Sequence, residues 1–244
     1  MDAGSDDRMI IGFDGDDTLW HNENVLWSAE QKFHDVLLHY LPAEELSHRL
    51  YETEMRNLSL FGYGAKGFVL SMIETAIDVT DGRIAVADIQ KLVGFLKDIV
   101  AHPLHLIGEA ARVVETLSQS NRLILISKGE LFHQENKIAS SGLAKFFSGI
   151  EIVSEKDQGV YQRILTRHTI RPDNFVMVGN SLRSDIDPVL KLGAHAIHIP
   201  YEITWRHEHL SPIEGEAPRY FLRETIAEVP QTVSAIEGLP RTGD

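Results

Sequence analysis

The chain has no cysteine. That excludes a disulfide framework, a thiolate metal site and a thiol nucleophile, and it agrees with a reducing, cytoplasmic location. Basic charge is also in short supply: 23 Lys and Arg stand against 36 Asp and Glu, a net charge of -13. A nucleic-acid backbone is therefore excluded as the main partner, because such polymers are held by clustered Lys and Arg. No apolar run reaches the roughly 18–20 residues that a membrane-spanning helix needs, so no membrane partner is expected. Residues 1–8 are polar and acidic, without the basic flank and apolar stretch of a secretory signal, and read as a short tail. What is present is balanced, with 43% hydrophobic and 24% charged residues in 244. That is enough for one full α/β domain and a smaller second one. Nothing in the sequence fixes an oligomeric state.

Short, nearly continuous apolar runs recur at residues 9–13, 123–126, 149–153, 175–178 and 196–199. Runs of this kind suit strands buried on both faces of a parallel sheet. Helical patterns lie between them, for example Ile107, Ala110, Ala111, Val114 and Leu117, so the expected fold is α/β with a doubly wound parallel sheet. One interval breaks the rhythm. Residues 20–104 hold no convincing strand but several amphipathic faces. These are Leu26, Ala29, Phe33, Val36 and Leu37, then Phe68, Met72, Ala76 and Val79, then Ile89, Leu92, Leu96 and Ile99. The expected division is a core of residues 1–19 and 105–244 with a helical cap domain at 20–104. A last edge strand within 219–224 and a closing helix within 226–236 complete the expected elements.

Ligands of open α/β sheets bind beyond the carboxyl ends of the strands, so the residues that follow each strand carry the chemistry. The first strand runs into Asp14-Gly15-Asp16-Asp17-Thr18-Leu19. Asp14 and Asp16 are two apart and can face one pocket, with Gly15 allowing a close turn. Crowded carboxylates repel until protons or a hard divalent cation relieve them, and magnesium is the natural candidate. A lone Asp-x-Asp is common in turns, but this longer string after an apolar strand is far more specific.

The string resembles the first signature of the haloacid dehalogenase (HAD) superfamily, in its phosphatase branch. The resemblance implies a Rossmann-like sheet, an Asp14 that attacks phosphorus to form an aspartyl-phosphate, and an Asp16 that serves as acid and then base. Dehalogenases of the superfamily match at Asp14 but lack an acid at the Asp16 position, which favours phosphate esters. The second strand ends in Ser127-Lys128-Gly129, where the family places a Ser or Thr against a phosphoryl oxygen; an N-cap for the next helix is the competing role for Ser127. Lys156, after the third strand, matches the lysine that neutralises nucleophile and phosphoryl group, and Lys128 is a rival cation. The fourth strand leads into Gly179-Asn180-Ser181-Leu182-Arg183-Ser184-Asp185-Ile186-Asp187-Pro188. The family pattern has Asp where Asn180 stands. The implied magnesium ligands are thus Asp14, Asp16, Asn180 and Asp185, with Asn180 offering an oxygen but no charge. Asp187 before Pro188 looks like a helix N-cap.

Within the helical interval, Phe61-Gly62-Tyr63-Gly64-Ala65-Lys66-Gly67 reads either as a substrate loop, with Tyr63 and Lys66 as binding residues, or as a plain helix connection. Trp20 and His21 are candidates for the entrance to the site. His207 and His209 lack a third ligand and are not expected to bind metal. The expected activity is magnesium-dependent hydrolysis of a small phosphorylated metabolite. A phosphotransferase or mutase using the same intermediate, and a non-catalytic metal- and phosphate-binding module, are the alternatives.

Overall fold

The computed structural model describes residues 8–210 and 218–239. Of the expected N-terminal tail, residues 1–7 lie outside this range. The elements, in order, are β1 (Ile10–Phe13), α1 (Glu23–Leu37), α2 (Ala43–Phe61), α3 (Ala65–Val79), α4 (Val86–Val100), α5 (Ala110–Ser118) and β2 (Arg122–Lys128). They continue with α6 (Leu131–Ser141), β3 (Gly149–Val153), α7 (Gln158–Arg167), β4 (Phe175–Gly179), α8 (Asp187–Leu190), β5 (His195–His198), β6 (Tyr220–Leu222) and α9 (Val229–Glu237).

The six strands form one sheet in the order β3-β2-β1-β4-β5-β6, and every neighbouring pair is parallel. The period-2 alternation of side chains splits the strand residues between two cores. Ile11, Phe13, Leu123, Leu125, Val176, Val178 and Ile197 pack on one face with α5 and α9. Ile124, Ile126, Phe175, Met177 and Ala196 pack on the other with α7 and α8. Burial on both faces explains why the strands read as continuous apolar runs. The result is the Rossmann-like α/β sheet expected from the sequence. Among the described residues no helix is long and apolar enough to cross a membrane.

The chain divides into two compact units. Among the described residues, one holds the sheet and comprises 8–21, 104–128, 134–210 and 218–239; the other comprises 22–103 and 129–133. The helical unit thus begins two residues later than expected, ends one earlier, and takes in the start of α6. Its core is Phe33, Leu37, Leu46, Leu50, Val69, Met72, Ala76 and Leu92. On α2 the buried stripe turns polar halfway: Thr53 and Asn57 are buried, and Asn57 donates to Ser71 Oγ (3.2 Å) and Glu74 Oε2 (2.7 Å) on α3. A half-polar stripe carries a weak hydrophobic period, which is why α2 shows poorly in the sequence.

The expected loop at 61–67 is shorter than its glycines suggest. Only Gly62, Tyr63 and Gly64 connect α2 to α3, and Gly67 lies inside α3. Lys66, in the first turn of α3, pairs with Glu130 at 3.0 Å and lies over the Phe132 ring. It is therefore engaged within the helical unit, while Tyr63 sits half-buried in the turn.

Candidate active site

β1 delivers Asp14 to the carboxyl edge of the sheet, where its N–H donates to the Val178 carbonyl of β4 at 2.9 Å. The chain then turns sharply. The N–H groups of Thr18, Leu19 and Trp20 all point at the Gly15 carbonyl, and Asp17 takes a left-handed φ of 61°. Residue 15 must be glycine, because a Cβ there would lie 2.5 Å from the Trp20 indole. Trp20 is fully buried and donates from Nε1 to Asp16 Oδ1 at 2.6 Å. The expected place of Trp20 at an entrance is thereby corrected: it is a buried support for Asp16. His21 is half-buried, with Nδ1 2.6 Å from the Tyr201 hydroxyl.

The Asp14 carboxylate is buried between two contacts. Lys156 Nζ lies 2.5 Å from Oδ1, and the Thr18 hydroxyl donates to Oδ2 at 3.1 Å. Lys156 also reaches Asp185 Oδ1 at 2.7 Å, so one ammonium serves two buried carboxylates. Burial pushes the Asp14 pKa up to about 7; Lys156 opposes the rise and Asp185 adds to it. For Lys156, burial works against the charge, but Asp14 and Asp185 outweigh it and hold the ammonium above its usual range. The trio is one positive charge short.

β4 leads to the turn that carries Asn180 and Asp185. A Cβ on Gly179 would lie 2.4 Å from the Asp185 carboxylate, so glycine is required for Asp185 to fold back against the strand end. Asp185 Oδ2 accepts from the Ser181 N–H at 3.0 Å. Residues Leu182–Ile186 form a single π-helical turn, and its N-cap is Ser181, whose Oγ accepts from the Ser184 N–H at 3.0 Å. This corrects the capping role expected of Asp187: helix begins upstream, and Asp187 instead pairs with Lys191 one turn on, at 2.6 Å. Asn180 Oδ1 lies 3.3 Å from the same Thr18 hydroxyl that donates to Asp14, so two acceptors compete for one proton. Burial lowers the pKa of His198. Its neutral ring donates from Nε2 to the Asn180 carbonyl and accepts from Tyr220 at Nδ1, each at 3.0 Å.

β2 runs to Lys128, and α6 starts only at Leu131, so Ser127 lies within the last residues of a strand and caps no helix. Gln134 of α6 donates to Ser127 Oγ at 2.5 Å and lies 3.2 Å from Asp16 Oδ2. Lys137, one turn on, contacts both Asp16 oxygens at 2.9 Å. The Asp16 carboxylate thus accepts from three nitrogen donors, Trp20 Nε1, Gln134 Nε2 and Lys137 Nζ. Among the described residues no three His, Asp or Glu side chains gather as a metal cluster. The rival cation Lys128 is turned elsewhere, to Glu208 Oε1 at 2.5 Å and Ser184 Oγ at 2.9 Å.

Thus Lys156 links Asp14 to Asp185, the Thr18 hydroxyl links Asp14 to Asn180, and Asp16 and Ser127 meet around Gln134. Gln134, Lys137 and Glu208 were not expected. The first two carried a usable signal: polar residues three apart on one face of the helix after Ser127. Glu208 carried none.

Compared with solved structures, the chain is similar to a haloacid dehalogenase-like family hydrolase from Xanthomonas campestris, at 40% identity over 97% of this chain and 94% of that one, with a TM-score of 0.85. It is similar in fold to a predicted phosphoglycolate phosphatase from Haemophilus somnus, at 14% identity over 94% and 99% of the two chains, TM-score 0.60. A 2-haloacid dehalogenase from Pseudomonas syringae shares the fold at 18% identity over 93% and 99%, TM-score 0.58. No protein-family model matches the chain, and no curated protein does.

Proposed function

Because the chain belongs to the haloacid dehalogenase-like family of hydrolases, we propose that it is a magnesium-dependent phosphatase acting on a small phosphomonoester through an aspartyl-phosphate at Asp14. The observation that carries this reading is the second carboxylate. Asp16 stands two residues beyond the nucleophile and is held by Trp20 and Lys137, with Gln134 touching both it and Ser127. A departing halide needs no proton, whereas a departing alkoxide does. A fixed acid beside the nucleophile therefore has a use in ester hydrolysis that it lacks in dehalogenation.

In the proposed reaction an Asp14 oxygen attacks phosphorus, the ester P–O bond breaks, and Asp16 gives its proton to the leaving alkoxide. Water then attacks the phosphorus of the aspartyl-phosphate, Asp16 takes the water's proton, and the bond to Asp14 breaks to release phosphate. Lys137 favours the ionised Asp16 that the second half needs, so the first half requires this pair to loosen around the protonated acid. Gln134 donates to Ser127 Oγ, which leaves the hydroxyl's own proton for a phosphoryl oxygen. Lys156 offsets charge on the transferring group.

The donor chemistry fits magnesium. Asp14 Oδ2, Thr18 Oγ1 and Asn180 Oδ1 are hard oxygens with one proton among them, beside a trio short of positive charge. Asp14, Asn180 and Asp185 would hold the ion. When bound it supplies Lewis acidity toward a phosphoryl oxygen.

The test is turnover of a generic aryl phosphate. Activity is expected with magnesium, lost in excess chelator, and abolished in Asp14→Asn while the variant stays folded. Full activity in chelator after dialysis, or near-normal turnover by Asp14→Asn, would overturn the reading.

A further inference from the structure

Beside the nucleophile's charge cluster lies a second one that the proposed chemistry does not use. Glu208 sits in a 3₁₀ turn (Arg206–Glu208) after β5, far in sequence from the residues it touches. Its carboxylate accepts from Lys128 at Oε1 (2.5 Å) and from both Ser181 Oγ (2.5 Å) and Ser184 Oγ (2.6 Å) at Oε2. Each serine hydroxyl has a single proton and gives it to Glu208. Each also accepts a bond of its own: Ser181 from the Ser184 N–H at 3.0 Å, Ser184 from Lys128 at 2.9 Å. Both hydroxyl protons and the Lys128 ammonium thus converge on a single, partly buried carboxylate.

The two serines belong to the π-helical turn that bears Asp185. The Ser181 N–H holds Asp185 Oδ2, and the Ser181 carbonyl accepts from the Asp185 N–H at 2.8 Å. A π turn is strained relative to an α turn and is kept by its surroundings. Here the surroundings are Glu208 on one side and Lys156 on the other. Lys128 also has a second carboxylate, Glu155, at 3.6 Å, next in sequence to Lys156.

We propose that Glu208 is a positioning residue: by collecting the protons of Ser181, Ser184 and Lys128 it fixes the turn that presents Asn180 and Asp185 to the nucleophile. This rests on the phosphatase reading only for its catalytic consequence.

Polarity makes the test sharp. In Glu208→Gln the amide nitrogen must face either Lys128, donor against donor, or the two serine hydroxyls, whose protons then lose their acceptor, so neither orientation satisfies the set. Removing Lys128 as well frees the glutamine to turn its oxygen to the serines and its nitrogen to the vacated side. Glu208→Gln should therefore lower kcat on an aryl phosphate by about 10–100-fold with a smaller change in KM, the order expected when a catalytic array shifts by about 1 Å. The double variant Lys128→Met/Glu208→Gln should regain most of that loss, a large favourable coupling. Without substrate, amide exchange in residues 181–186 should accelerate in the single variant and slow again in the double, while the strands stay protected.

A double variant as slow as the single or slower, or unchanged exchange in 181–186 in Glu208→Gln, would overturn the proposal. The first of these would identify Lys128 as a phosphate-binding cation. If wild-type protein turns over no aryl phosphate with magnesium, it is the phosphatase reading that fails, and the exchange measurements still decide the role of Glu208.

Discussion

Two lysines stand at the carboxyl edge of this sheet, Lys156 buried and Lys128 partly buried, and their surroundings differ. Lys156 sits between two carboxylates, Asp14 and Asp185. Lys128 sits against the partly buried carboxylate of Glu208, also donates to the Ser184 hydroxyl, and lies 3.6 Å from the more exposed Glu155. The first group is short of positive charge, and Asp14 is pushed up to about 7 by burial. The second is close to balance, and although burial raises Glu208, Lys128 prevails and pulls it down to about 2. A charge-deficient buried group draws a cation or proton to itself, and a balanced one holds a shape. On the proposed reading the same residue type serves chemistry in one place and architecture in the other.

The largest expected effect breaks the first cluster. Lys156→Met should reduce kcat on an aryl phosphate by about 10³-fold or more, because charge offset at the transferring phosphoryl group is a dominant contribution. It should not unfold the protein in magnesium, where the ion takes over part of the compensation. Retention of a tenth or more of the wild-type rate would mean that Lys156 is the architectural lysine of the two.

Stability against pH separates the clusters with opposite signs. The Glu208 carboxyl is lower in the folded state than its ordinary 4.5. Its contribution is thus complete above about pH 4.5 and is lost as pH falls toward 2, on the order of 3 kcal/mol in all. The Asp14 carboxyl is higher than its ordinary 3.8. Folding then favours its protonated form, and stability is lost as pH rises from about 4 through 7. Without metal at pH 8, Asp14→Asn should therefore be more stable than wild type by on the order of 1–2 kcal/mol, and Glu208→Gln less stable. Urea unfolding at pH 3, 5 and 8 checks both. Destabilisation by Asp14→Asn at pH 8 would remove the contrast.

Much of the sheet unit was legible because its strands are buried on both faces and the chemistry follows directly from where they end. Asp14, Ser127 and Lys156 each come just after a run of apolar residues or close it, Asp185 lies in the turn that follows the fourth strand, and the structure links Asp14 and Asp185 through Lys156. What escaped depends on tertiary placement. Gln134 and Lys137 reach Asp16 across 118 and 121 residues. Glu208 lies in a stretch with neither helical nor strand period. The cap on the last site turn was misread because Asp187-Pro188 is a strong local signal, while Ser181 prevails through bonds to Glu208 that no local pattern reveals. In the helical unit, Gly67 suggested a loop but belongs to α3, where a Cβ would meet the Gly62 carbonyl at 2.9 Å. Glycine there serves close packing, which sequence alone does not distinguish from a turn.

The smallest expected effect probes how far the first cluster is from balance. Asn180 is the neutral member of its oxygen set, 3.3 Å from the Thr18 hydroxyl that also faces Asp14. Asn180→Asp adds a negative charge to a trio that already lacks a positive one. Without metal that should cost stability at neutral pH. With metal it should tighten binding, by about 1 kcal/mol or roughly fivefold at the effective dielectric of a partly buried site. Asn180→Ala removes the oxygen and should loosen magnesium by a similar factor. The saturated rate responds differently, because an added carboxylate also repels the incoming phosphate dianion, so gain in metal affinity and loss in rate can accompany each other. Calorimetric titration of magnesium into wild type, Asn180→Asp and Asn180→Ala reads the first effect without substrate. Three equal affinities would mean that residue 180 does not touch the ion. Asp14 and Asp185 would then have to hold it between them.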